Sequence, residues 1–141
     1  MRDVYVIGVG MFRFGKYIGR TMKDMAAEAV DLVLADAGLL RNDLQFCYVS
    51  NSYWGLFEGQ HSIKGQVLLF PLGIQKLPTI NVENACAGAS TAFHLGWMSI
   101  AAGLYEVGMA LGIEKLTHEK DRKSTRLNSS HIQKSRMPSS A

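Results

Sequence analysis

Thr79-Ile80-Asn81-Val82-Glu83-Asn84-Ala85-Cys86-Ala87-Gly88-Ala89-Ser90-Thr91-Ala92 is the stretch on which the reading of this chain turns. Its first four residues favour a strand, and the small residues after Cys86 fit a closely packed helix. A strand over Thr79 to Val82, a tight turn, and a helix from Cys86 to Gly103 are therefore expected. A thiol at such a turn sits at a helix N-terminus, where unpaired backbone N–H groups and the helix dipole favour negative charge. That setting favours the thiolate, which is the nucleophilic form of cysteine. The competing reading is an inert core thiol, since free cysteine is often buried. Gly88, Gly96 and Gly103 accompany many alanines along the helix. Glycine costs a helix about 1 kcal/mol relative to alanine, so this helix is expected to be central, buried and covered on more than one side.

Working outward, Val4-Tyr5-Val6-Ile7-Gly8-Val9-Gly10 reads as a buried strand ending in glycines. Thr21 reads as an N-cap, with Asp24 three residues on. Met22, Met25, Ala26, Ala29, Val30, Val33, Leu34 and Ala37 follow at helical spacing, and Gly38 is a natural stop. A strand is expected at Phe46 to Ser50, a loop at Ser52 to Gly59, a short helix at His61 to Phe70, and a strand at Glu106 to Ile113. Alternating strands and helices predict an α/β fold with a mainly parallel sheet.

The 141 residues are 48% hydrophobic and 9% aromatic, enough to build the core of one domain. The net charge of +3 sits unevenly. Residues 121–141 hold Arg122, Lys123, Arg126, Lys134 and Arg136 against Asp121, a local charge of +4 that leaves the rest at −1. A near-neutral body argues against nucleic acid as a partner. The tail Asp121-Arg122-Lys123-Ser124-Thr125-Arg126-Leu127-Asn128-Ser129-Ser130-His131 resembles a translated short-read sequencing adapter, and Ser135 to Ala141 resembles the adapter's next constant segment. The expected division is an incomplete domain over residues 1–120 and a disordered, adapter-derived tail over 121–141. On that reading the natural protein continues past Lys120.

Two cysteines suggest no disulfide framework. No charged-then-apolar leader precedes the first strand, so a cytoplasmic location is expected, with an organelle left open. The apolar stretch Ala85 to Leu104 suits a buried helix better than a membrane span. Gly8-Val9-Gly10 invites a dinucleotide-binding reading, but position 13, where the third glycine belongs, is Arg13. Phe12 and Phe14 would also obstruct a pyrophosphate. No metal site is expected.

Asn81 through Ala92 resembles the nucleophile segment of thiolases, nearest the sterol-carrier-protein-type branch. Val4 to Phe14, Met25-Ala26-Ala27-Glu28-Ala29, Ala35-Asp36-Ala37-Gly38 and Ala110-Leu111-Gly112-Ile113-Glu114-Lys115 are similar to that branch too. The resemblance implies the N-terminal half of a layered thiolase-like fold: a mixed, mainly parallel sheet around a buried central helix, normally in a homodimer. It implies that Cys86 is the catalytic residue, accepting an acyl group from an acyl-CoA, with its own N–H in an oxyanion hole. Coenzyme A thioester would be substrate, with no bound cofactor. Two other readings remain open. One is a ketoacyl-synthase or hydroxymethylglutaryl-CoA-synthase-like condensing enzyme; the other is a non-catalytic subunit that binds acyl-CoA or lipid. The family's activating histidine, second cysteine and Asn-containing segment lie in its C-terminal half. His94 is eight residues along the helix, about 12 Å from Cys86, and reads as a packing or surface residue. His61, His118 and a core Cys47 are no better placed.

Overall fold

The computed structural model describes residues 2–117. His118 and the expected tail at 121–141 lie outside the described residues. Chain order is α1 (Met22–Ala37), β1 (Cys47–Ser50), α2 (Trp54–Glu58), α3 (Lys64–Leu69), β2 (Thr79–Val82), α4 (Gly88–Ala101) and β3 (Met109–Gly112). Single turns of 3-10 helix lie at Arg41–Asp43, Phe70–Leu72 and Ala85–Ala87. The three strands form one parallel sheet in the order β2-β1-β3.

The central position of β1 explains its composition. All four of its residues are buried, whereas β3 alternates and β2 buries Val82 alone. Alternate side chains of a strand point to opposite faces. Cys47 and Val49 therefore share a core with Met25, Val30, Leu34 and Leu68 from α1 and α3. Phe46 and Tyr48 join Val82 and Ala92 in a second core under α4. The result is a helix-sheet-helix sandwich, with the Phe46 ring packed 4.6 Å from Tyr48 and 4.9 Å from Tyr105.

Helix α1 begins where its local chemistry dictates. Thr21 Oγ1 accepts the Asp24 N–H at 3.1 Å, and Asp24 Oδ2 accepts the Thr21 N–H at 3.0 Å. That reciprocal capping box satisfies two N–H groups the first turn would otherwise strand. Gly38, at φ +66°, closes the helix in the left-handed conformation that glycine adopts without penalty.

Three expectations need correction. Residues 4–10 form no strand: Tyr5, Val6, Ile7 and Val9 are 76%, 62%, 56% and 70% exposed. Their β-branched composition expresses fitness for a pleated, half-buried surface, but here the segment engages α1 instead. Val9 N–H donates to Asp36 Oδ2 at 2.8 Å, and a Cβ on Gly10 would lie 2.5 Å from the Val33 nitrogen. The glycines thus permit close approach to a helix rather than ending a strand. A cavity of about 160 Å³, lined in part by Ile7, Leu34, Phe46, Trp97 and Met109, separates this segment from the sheet.

The loop expected from Ser52 to Gly59 contains α2. Asn51 Oδ1 accepts the Trp54 N–H at 3.0 Å, and Trp54 Nε1 donates to Glu58 at 2.7 Å. Among the described residues, helix α4 is covered mainly on the face that meets the sheet. Gly88, Ala92, Gly96 and Ser99 are buried against the sheet, while Phe93, Trp97 and Met98 are 54%, 40% and 47% exposed.

Candidate active site

Parallel strands deliver the residues that follow them to a common edge. Asn51 and Ser52 follow β1, Glu83 to Ala85 follow β2, and Ile113 and Glu114 follow β3. Cys86 lies in the 3-10 turn Ala85–Ala87 that leads into α4 at this same edge, and its side chain is exposed. The turn is laced by hydrogen bonds. Ala87 N–H donates to Asn84 O at 2.9 Å, and Asn84 Nδ2 donates to Thr91 Oγ1 at 2.9 Å. Thr91 Oγ1 in turn donates to Ala87 O at 2.9 Å.

Two close contacts seat the start of α4 on the sheet. A Cβ on Gly88 would overlap Ser50 Oγ, and one on Gly112 would stand 2.5 Å from the Ala89 Cβ. Only glycine at these positions lets the helix sit so close to the ends of β1 and β3. The small-residue pattern that singled out this helix thus marks its contact with the sheet.

Ala85, the residue before Cys86, has φ +44°. An L-residue in the left-handed region pays about 1–2 kcal/mol. Glu83 Oε1 accepts the Ala85 N–H at 2.7 Å and the Ser52 hydroxyl at 3.0 Å. The Ala85 N–H, then the Ser52 hydroxyl, hold the Glu83 carboxyl below the usual carboxylate range, with a lesser pull from Lys64. Lys64 Nζ donates to the carbonyls of Asn51 and Ser52 at 2.9 and 3.3 Å.

A second polar knot supports the edge. Asn51 is 3% exposed; its Nδ2 donates to Ile113 O at 2.8 Å and to Glu114 Oε1. Glu114 Oε1 accepts the Ser52 N–H at 2.9 Å, and Oε2 accepts the Tyr53 N–H at 3.1 Å. Asn51, the buried member of the cluster, thus has both ends of its amide bonded, Nδ2 to Ile113 and Glu114 and Oδ1 to the Trp54 N–H, as burial requires.

The other candidates fall away from this edge. Cys47 is fully buried, and desolvation pushes its thiol from 9.0 up to about 12. It is a buried core thiol, as the sequence reading expected. His94 is exposed and stacks on Trp97 at 5.9 Å, a surface residue as expected. His61 is exposed and sits against Gly55 of α2. No group of three or more His, Cys, Asp or Glu among the described residues could hold a metal ion. Ser52, Asn51, Lys64 and Glu114 were not singled out from sequence. The signal for most of them was available, since they stand immediately after strands of one parallel sheet.

Residues 4–139 match the thiolase N-terminal domain family. The chain belongs to the thiolase family. It is 37% identical over 121 residues to the acetyl-CoA acetyltransferase of Methanothermobacter thermautotrophicus, covering 86% of this chain and 31% of that protein. Sterol carrier protein 2 of Oryctolagus cuniculus is 35% identical over 80% of this chain and 20% of its own length. The chain thus spans about a third or less of the length of these relatives. The fold also resembles 3-oxoacyl-[acyl-carrier-protein] synthase III from Aquifex aeolicus VF5, with a TM-score of 0.53 and 19% identity. That match covers 60% of this chain and 27% of the other, and it speaks to fold alone. Among the described residues no helix is long and apolar enough to cross a membrane.

Proposed function

We propose that this chain is the N-terminal part of a thiolase-type acyltransferase in which Cys86 is the nucleophile. The observation that carries the reading is an exposed cysteine in a braced turn at the carboxyl edge of a parallel sheet, in a chain of the thiolase family. In the proposed reaction, Cys86 Sγ attacks the carbonyl carbon of an acyl-CoA. A new carbon–sulfur bond forms, the bond to coenzyme A sulfur breaks, and the departing thiolate takes a proton. The acyl group then passes to coenzyme A, or to an acetyl-CoA carbanion in the condensing direction. Coenzyme A thus enters as substrate, with no resident cofactor. The Cys86 N–H would help stabilise the oxyanion that develops in the transition state.

The groups that activate the thiol and shuttle protons are assigned to the part of the protein beyond this chain. Accordingly the 141-residue chain should show no turnover. Coenzyme A release above a Cys86→Ala control would overturn that. We also assign the complete protein to a cytoplasmic homodimer without nucleic-acid partners. The exposed Phe93, Trp97 and Met98 of α4 suit a surface that another part of the assembly covers, so the chain alone should aggregate. A monodisperse, cooperatively unfolding monomer would count against this.

A second reading has its own support. Relatives named sterol carrier protein 2 fit a subunit that binds acyl-CoA or lipid without catalysis. Mass spectrometry of the full-length protein after exposure to acetyl-CoA separates the two. An acetyl adduct on Cys86 supports catalysis; a folded protein that binds acetyl-CoA without forming one supports the binding subunit.

A further inference from the structure

Ala85 is held in a conformation it would not choose, directly before the proposed nucleophile. Its positive φ costs about 1–2 kcal/mol, and such strain persists only where the surroundings over-determine it. The surroundings here converge on one atom. Glu83 Oε1 receives the Ala85 N–H from its own turn and the Ser52 hydroxyl from the end of the neighbouring strand. Ser52 is itself fixed, because its N–H donates to Glu114 at the end of the third strand. The Ala85 peptide is thereby tied to β1 and β3 as well as to β2. Since the Cys86 backbone follows directly from Ala85, the same ties set the orientation of the Cys86 N–H and of its Cα–Cβ bond.

We propose that Glu83 is a positioning residue for Cys86, acting through Ala85 with Ser52 as its brace. This rests on the nucleophile reading given above. Glu83 does not exchange a proton with substrate in this role. One oxygen accepts both hydrogen bonds, so a neutral amide oxygen can replace it. That separates the proposal from any role that needs the charge. A hydrogen bond to a charged acceptor is among the stronger ones, so its loss should be visible in rate.

The test uses the full-length protein, acetyl-CoA as acyl donor, and mass spectrometry of the Cys86 peptide to follow adduct formation. Glu83→Ala should slow adduct formation by about tenfold or more, with the half-saturating acetyl-CoA concentration unchanged. Glu83→Gln should restore most of the lost rate, and Ser52→Ala should fall between. Ala85→Gly removes the strain, because glycine takes positive φ freely; on that background Glu83→Ala should cost distinctly less. Wild-type protein that forms no acetyl adduct would remove the nucleophile reading and this inference with it. Wild type acetylated and Glu83→Ala equally fast would overturn the inference alone. If Glu83→Ala fails to fold, Glu83→Gln and Ser52→Ala decide. Glu83→Gln as slow as Ser52→Ala, or slower, would refute the positioning role.

Discussion

Cys47 should behave as a thiol sealed in the sheet, and the size of the effect follows from its place. It sits on the central strand, paired to β2 on one side and β3 on the other, with no exposed surface. Burial raises its thiol from 9.0 to about 12. At pH 8 an ordinary thiol at the lower value is about one-tenth thiolate, and one at the higher value about one part in ten thousand. Alkylation by iodoacetamide should therefore run about a thousandfold slower in the folded chain than in urea. Exposed Cys86 provides the control within the same molecule. Peptide mass spectrometry after short pulses of reagent at low protein concentration reads both sites together. The same shift carries a stability consequence. Above pH 9 the unfolded thiol ionises while the folded one keeps its proton, so the unfolded state gains. Stability is intact below pH 9 and falls as pH rises toward 12, by about 1.4 kcal/mol per unit and about 4 kcal/mol in all. Cys47→Ala should lower stability below pH 9 through its cavity but remove this part of the alkaline slope, so the two curves should converge as pH rises. Folded Cys47 labelling within tenfold of its rate in urea, or parallel stability curves for the two proteins between pH 9 and 11, would refute the argument.

Two glycines beside the same ring should respond in opposite directions. A Cβ at Gly96 would meet the Phe46 ring at an ordinary 3.5 Å, so Gly96→Ala should stabilise α4 by up to about 1 kcal/mol. At Gly108 the Cβ would overlap that ring, which is pinned between Tyr48 and Tyr105, so Gly108→Ala should cost about 1–3 kcal/mol in thermal unfolding. Thr21→Ala removes the cap of α1 and should cost about 1 kcal/mol, read as a lower urea midpoint, with Thr21→Ser close to wild type. Glu83 is held below the usual carboxylate range, chiefly by the Ala85 N–H, so its support is present above the ordinary carboxylate value and lost as pH falls through its folded value. Acid titration followed by amide NMR should move the Ala85 resonance at a pH below the ordinary glutamate midpoint; a shift at or above that midpoint would contradict the contact.

What was legible in the sequence was local. Thr21 and Asp24 are three residues apart, so their reciprocal cap is written in adjacent chemistry, and Gly38 needs only its own φ. Strand Thr79–Val82 formed where its β-branched run ends in Glu83 and Asn84. What escaped depended on distant partners. Val4 to Gly10 carries strand composition, yet a strand exists only where another offers a ladder, and here Asp36 and the close approach to α1 take the segment. Helix α2 starts because Asn51 caps it and Glu114, from the far end of the chain, holds the two N–H groups before it. Small residues in α4 showed that backbone could come close. They could not show how many sides would be covered.

The chemistry of the site edge argues for a division of labour along the protein. Two carboxylates stand beside the turn, but both are committed as acceptors: Glu83 to Ala85 and Ser52, Glu114 to Ser52, Tyr53 and Asn51. Glu83 in particular is held in its ionised form, chiefly by the Ala85 N–H and then by the Ser52 hydroxyl, which makes it a poor proton acceptor. Lys64 is likewise spent on two carbonyls, and Lys115 Nζ donates to the carbonyl of Arg20 at 2.7 Å. His94 lies in the second turn of α4, exposed and stacked on Trp97, and among the described residues no hydrogen bond links it to the turn that holds Cys86. The polar groups gathered at this edge therefore act on the backbone, and their combined effect is to fix where Cys86 stands. On the nucleophile reading proposed above, activation of the thiol would fall to residues that approach over the open side on which Cys86 is exposed.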